Sequence, residues 1–185
     1  MIGHYATADD PQPLSSEHFI LHYRLRNPRR GRGHHANGVR DERLLHTYLD
    51  ALTKLHATMT APPWSRAPLA ERVRVFIAAL IVGGGDPFTT WDDKGIYIAL
   101  PCRTYEPTLL SEMELASAMA VHEATHVFNC RERPLNQRTG AWDWYDEALA
   151  IFMETVVLPD CRDHLRFMGD WIEKPHISLN APNAR

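Results

Sequence analysis

Hydrophobic and polar positions fall into two periods along this chain. In His18-Phe19-Ile20-Leu21-His22-Tyr23-Arg24, Phe19, Leu21 and Tyr23 share one side of an extended backbone, while Ile20 sits between His18 and His22 on the other. That alternation predicts a strand. From about Arg40 to Thr60 the period lengthens: Leu44, Leu45, Tyr48, Leu49, Leu52 and Leu55 recur at helical spacing, and Pro62-Pro63 ends the helix. Residues 72–82 carry the apolar run Val73, Val75, Phe76, Ile77, Ala78, a buried strand terminated by Gly83-Gly84-Gly85-Asp86-Pro87. A further strand over 95–101 is entered from the turn Asp92-Asp93-Lys94-Gly95. From Ser111 the pattern turns helical, predicting helices over 111–130, 144–158 and 162–174, with breaks at 133–143 and Pro159-Asp160. Strands and one helix followed by helices predict an α+β fold, with a small N-terminal mixed sheet, one long helix and a mostly helical C-terminal half. Residues 1–15, polar and punctuated by Pro11 and Pro13, read as a flexible tail before a single domain over 16–185.

Composition narrows the classes. A chain of 185 residues with 44% hydrophobic and 23% charged positions can bury a core without disulfides. Its net charge of −3 gives no reason to expect a polyanionic partner. The local basic run Arg24, Arg26, Arg29, Arg30, Arg32, His34-His35 has no recognition motif beside it and reads as a solvated loop, so nucleic acid is not an expected partner. No apolar run approaches the ~18–20 residues of a membrane span. The first ten residues lack the basic and apolar regions of a signal peptide, so the expected location is the cytoplasm. Three cysteines cannot all pair within the chain, and spacing does not decide whether Cys130 and Cys161 bridge. Histidine stands out, at 11 positions; His46 and His56, on the first helix, read as surface or boundary residues.

The chemistry concentrates in 111–128. Ser111 and Glu114 have capping-box spacing, and the alanine- and methionine-rich run after them favours helix. His122 and His126, four residues apart, lie ~40° apart around that helix and one turn along it, so both imidazoles reach one ion from the same face. Glu123 lies just off that line, close enough to touch a metal-activated water without ligating. This is the H-E-x-x-H arrangement of zinc hydrolases. With histidine and glutamate each at 11 positions, composition alone yields the motif at a chance of roughly 0.04, so a third ligand has to support it. Glu147, twenty-one residues after His126, supplies one: it sits on a predicted helix beside Ala148 and Ala150, small enough to let two helices close around a shared ion. His122, His126 and Glu147 then form a His₂Glu set with one position left for water. Asp146 and Glu154 are nearby competing carboxylates. Glu154 lies seven residues, or ~10.5 Å, beyond Glu147, too far for both to touch one ion.

These residues resemble the gluzincin zinc metallopeptidases, the thermolysin-like clan, in a minimal single-domain form. Trp144, Glu147, Ala148, Ala150, Phe152 and Glu154 match that family's second motif, with alanine in place of its usual glycine. The resemblance implies one Zn2+ per chain and a peptide or protein substrate, hydrolysed by a metal-activated water with Glu123 as general base. It also implies a substrate-binding edge strand before the site helix, here 95–100. Where such chains carry an aspartate four residues after the glutamate ligand, this one has Ile151, leaving Asp146 or Glu154 to partner a zinc histidine. The oxyanion stabiliser that larger relatives take from a C-terminal domain would come from His164, His176, Tyr145 or Tyr97. A latent, peptidase-like zinc module with a binding or regulatory role is the alternative reading.

Overall fold

The computed structural model describes residues 13–25, 38–78, 87–102, 110–132 and 143–162. In chain order these form β1 (Leu14–Ser15), β2 (Phe19–His22), α1 (Glu42–Thr60), β3 (Val73–Ala78), β4 (Phe88–Asp92), β5 (Gly95–Pro101), α2 (Glu112–Glu132) and α3 (Asp143–Val157). The fold is α+β around a five-stranded sheet of order β1-β2-β3-β5-β4. The three central strands run parallel, with Phe19 opposite Val73 and Val75 opposite Ile98. The outer strands, β1 and β4, are antiparallel to their neighbours. Parallel neighbours need a long crossover, and α1 lies within the one joining β2 to β3.

Strand parity decides what the helices cover. Phe19 and Leu21 of β2, Val73, Val75 and Ile77 of β3, and Ile98 and Leu100 of β5 are buried on one face. Against that face α1 turns Leu44, Leu45, Tyr48, Leu52, Leu55 and Met59. The helix begins at Asp41, whose carboxylate accepts the Arg43 N–H at 2.9 Å, filling one of the donors a helix start leaves open. The Tyr48 phenol is fully buried and donates to the Pro101 carbonyl at 2.8 Å, fastening α1 to the end of β5. The alternate positions Arg74, Phe76 and Tyr97 occupy the opposite face, where Arg74 pairs with Asp92.

Helix α2 is buried on nearly every side because it packs on α1, α3, β4 and β5 together. Its sequence explains how: Ala116, Ala118, Ala120 and Ala124 are all essentially inaccessible, and small side chains let neighbouring elements come close. The capping box that spacing predicts is present. The Ser111 hydroxyl accepts the Glu114 N–H at 3.3 Å, and the Glu114 carboxylate accepts the Ser111 N–H at 2.8 Å.

Several details differ from the sequence reading. Leu14 and Ser15, at the end of the predicted tail, form β1 by pairing with β2. Residues 88–92, with no predicted element, form β4; it returns into β5 through Asp93-Lys94, and Gly95 sits at φ +101°, a conformation glycine takes without strain. The strand expected at the substrate-binding edge, 95–100, is therefore interior, flanked by β3 and β4, and the edge belongs to β4. His56 is buried rather than at the surface: it continues the Leu52-Leu55-Met59 stripe, stacks on His18 at 3.5 Å and accepts the Leu69 N–H at 3.5 Å. The predicted helix 162–174, the basic run 26–35 and the glycine run 83–85 lie outside the described residues, apart from Arg162. Among the described residues no helix is long and apolar enough to cross a membrane.

Candidate metal centre

His122 and His126 stand one turn apart on α2, their ring centroids 5.0 Å apart. Both Nε2 atoms face one carboxylate from α3. Glu147 Oε2 is 3.2 Å from His122 Nε2, and its Oε1 is 3.7 Å from His126 Nε2. One ligand atom from each of the three residues falls within 4.8 Å of the others, a group that could hold a metal ion. Zinc bonds of ~2.0–2.2 Å arranged tetrahedrally put neighbouring ligand atoms about 3.3–3.6 Å apart; the two histidine–carboxylate separations, each to a different Glu147 oxygen, are of that order. Two imidazoles and a carboxylate are also a donor set that zinc accepts at catalytic sites.

The carboxylate that partners the histidine is Glu154. Its Oε1 lies 2.8 Å from His122 Nδ1, and its side chain is 3% exposed. Glu147 and Glu154 share a face of α3 two turns apart, and one imidazole bridges that gap, meeting each carboxylate with a different ring nitrogen. An Nδ1–H held by Glu154 fixes the tautomer that leaves the Nε2 lone pair for a metal. Burial by itself would lower the His122 pKa. The hydrogen bonds to Glu147 and Glu154, with the nearby charge of Glu123, outweigh it and push the value up to about 10. In the metal-free protein a proton on His122 thus takes the place of a cation among these carboxylates.

Glu123, one residue on, is 4% exposed and turned towards the sheet. The register pairs Thr89 with Ile98, which sets Thr89 on the helix-covered face of β4. Its Oγ1 lies 2.8 Å from Glu123 Oε2 and 2.8 Å from the Glu123 main-chain oxygen. Burial, reinforced by the negative charge of Glu147 and Glu154, pushes the Glu123 carboxyl up to about 7, against the opposing pull of His122 and the Thr89 bond. A carboxyl poised near neutrality beside a metal-ligand cluster is suited to receive and release a proton.

Of the four candidates for an oxyanion stabiliser, His164 and His176 lie outside the described residues. Tyr97 pairs with Arg74 and Thr90, and so stands on the sheet face away from α2; the sheet separates it from the cluster. Tyr145 is two residues before Glu147, about 200° round α3, and 42% exposed, so it points away from the two histidines. Cys102, Cys130 and Cys161 are buried thiols, and no bridge joins Cys130 to Cys161. Sequence reasoning missed Thr89. The signal available for it was the turn Asp92-Asp93-Lys94-Gly95, which implies a strand on its N-terminal side as well. Compared with protein-family models, curated proteins and solved structures, the chain matches none.

Proposed function

We propose that this protein is a zinc-dependent metallopeptidase of gluzincin type, with zinc held by His122, His126 and Glu147 and with Glu123 as general base. The observation that carries the reading is the convergence of those three ligand atoms within 4.8 Å, next to a buried glutamate. A zinc ion at such a site supplies Lewis-acid polarisation of a carbonyl and makes water a usable nucleophile near neutral pH. The chain's own residues supply the rest. Glu154 holds the Nδ1–H of His122 and so orients that ring. Glu123 accepts a proton from the attacking water and delivers it to the departing amine, so its carboxylate is regenerated each cycle. The outer edge of β4, which among the described residues pairs only with β5, offers main-chain donors and acceptors to an extended peptide beside Glu123.

The test combines metal analysis with hydrolysis. The purified protein should carry about one zinc per chain and cleave members of a broad peptide library, with activity lost on chelation and regained with zinc. Stoichiometric zinc without cleavage of any peptide would convert the reading to a zinc-binding module. Absence of stoichiometric metal after zinc addition would end both.

A further inference from the structure

We infer that Thr89 is the positioning residue for Glu123, so that the edge strand β4 sets the orientation of the general base through one hydroxyl. The inference rests on the reading of Glu123 as base.

Three observations carry it. The β4–β5 register places Thr89 opposite Ile98, whose side chain is fully buried, and therefore directs Thr89 at α2 rather than at the outer sheet face. Its Oγ1 lies 2.8 Å from two acceptors of one residue, the Oε2 of Glu123 and that residue's own main-chain oxygen, and its one hydrogen is shared between them or given to one at a time. Among the described residues no other hydrogen-bond donor reaches the Glu123 carboxylate. A glutamate side chain has three rotatable bonds. Tying its terminal oxygen to the same hydroxyl as its own backbone confines those torsions to the few combinations that bring Oε2 back over the helix. The position following His122 already fixes where the side chain starts, and Thr89 fixes where it ends. The hydroxyl reaches across 34 residues of sequence, so the same bond ties β4 to α2 beside the ligand cluster.

Positioning of this kind acts on the rate rather than on binding, because a reacting group misplaced by about 1 Å loses about 10²-fold. Thr89→Val keeps the β-branched shape and removes the hydroxyl; Thr89→Ser keeps the hydroxyl. On a cleaved peptide, Thr89→Val should lower kcat at least ~10-fold with KM and zinc content unchanged, and Thr89→Ser should recover most of it.

A second readout needs neither metal nor turnover. In a double-mutant cycle on the metal-free protein, Thr89→Val should raise the unfolding equilibrium constant about 10-fold more in wild type than in Glu123→Ala. Thr89→Ala in the same cycle serves if the valine variant does not fold. Equal effects in the two backgrounds, or a kcat for Thr89→Val equal to that of wild type, would overturn the inference. If wild type cleaves no peptide, the peptidase reading falls, while the cycle still decides whether Thr89 holds Glu123.

Discussion

Replacing Glu147 by alanine removes the carboxylate that meets the two histidines of α2, the third ligand of the proposed zinc site. Folded zinc sites with four ligands bind with about 10–16 kcal/mol, or about 2.5–4 kcal/mol for each ligand, so one lost ligand weakens binding about 10²- to 10³-fold. A second effect runs the other way. In the metal-free protein the His122 pKa is pushed up to about 10, partly by Glu147, and that proton must leave before a metal binds. Removing Glu147 eases the competition. Because the Glu147 side chain is 45% exposed, solvent screening limits that gain to about 1 kcal/mol, or about fivefold. The net expectation for Glu147→Ala is a loss of about 20- to 200-fold. Titration against a chromophoric zinc chelator at constant pH measures it, and circular dichroism of the metal-free variant confirms the fold. The thermal stabilisation that zinc gives wild type should shrink in parallel. Asp146→Ala is the control: the adjacent carboxylate points about 100° away round α3, and Glu154 already meets His122 Nδ1, so its effect should stay below about tenfold. A Glu147→Ala protein that binds zinc within about threefold of wild type would refute the ligand assignment.

Glu123→Gln should keep zinc and fold while losing at least ~10² in kcat, since an amide cannot take the proton; full activity on any peptide that wild type cleaves would exclude Glu123 as base. Glu154→Gln should bring the His122 pKa down from about 10 in metal-free protein, because a neutral amide replaces one of two carboxylates on the ring; an unchanged NMR titration of His122 would disconnect the two residues. His56 gives an acid-side signature. Burial, with the charge of neighbouring His18, lowers its pKa below the ordinary 6.5, despite an opposing contribution from Glu17. As pH falls below about 6.5 the unfolded chain therefore takes a proton that the folded chain refuses, and stability drops. Urea midpoints at pH 7.5 and 5 should converge more for His56→Gln than for wild type, and identical pH slopes would contradict this.

Local pattern was enough for α1, whose apolar stripe runs over about four turns from Leu44 to Met59, and for the two histidines of α2, whose relation depends only on helical pitch. It was enough for Glu147 as a candidate, because a neighbouring helix had to bring a third donor. It could not choose between Asp146 and Glu154 as the partner of His122, since that depends on the rotation of α3 against α2. Nor could it find β4. Phe88, Thr89, Thr90, Trp91 and Asp92 include no buried side chain, so no hydrophobic alternation marks them. They become a strand by pairing with β5, a property of the partner as much as of the segment. β1 is the extreme case, two residues defined wholly by their neighbours on β2. His56 went astray for the opposite reason. Its position on the stripe was clear, but its residue type argued for water until His18 and Phe128 supplied rings to pack against.

The double contact of Thr89 has a consequence for proton traffic. A hydroxyl has one hydrogen to give and lone pairs with which to accept. Facing an ionised Glu123, Thr89 gives that hydrogen to Oε2. Once the carboxyl is protonated, the main-chain oxygen 2.8 Å away takes the hydrogen instead, and Oγ1 accepts from the carboxyl. The exchange needs only a turn of the hydroxyl about its C–O bond, with every heavy atom where it was. As the proposed general base, Glu123 would gain and then lose a proton in each cycle without breaking its hold on the edge strand, and the site would avoid the reorganisation that water around a titrating carboxylate requires.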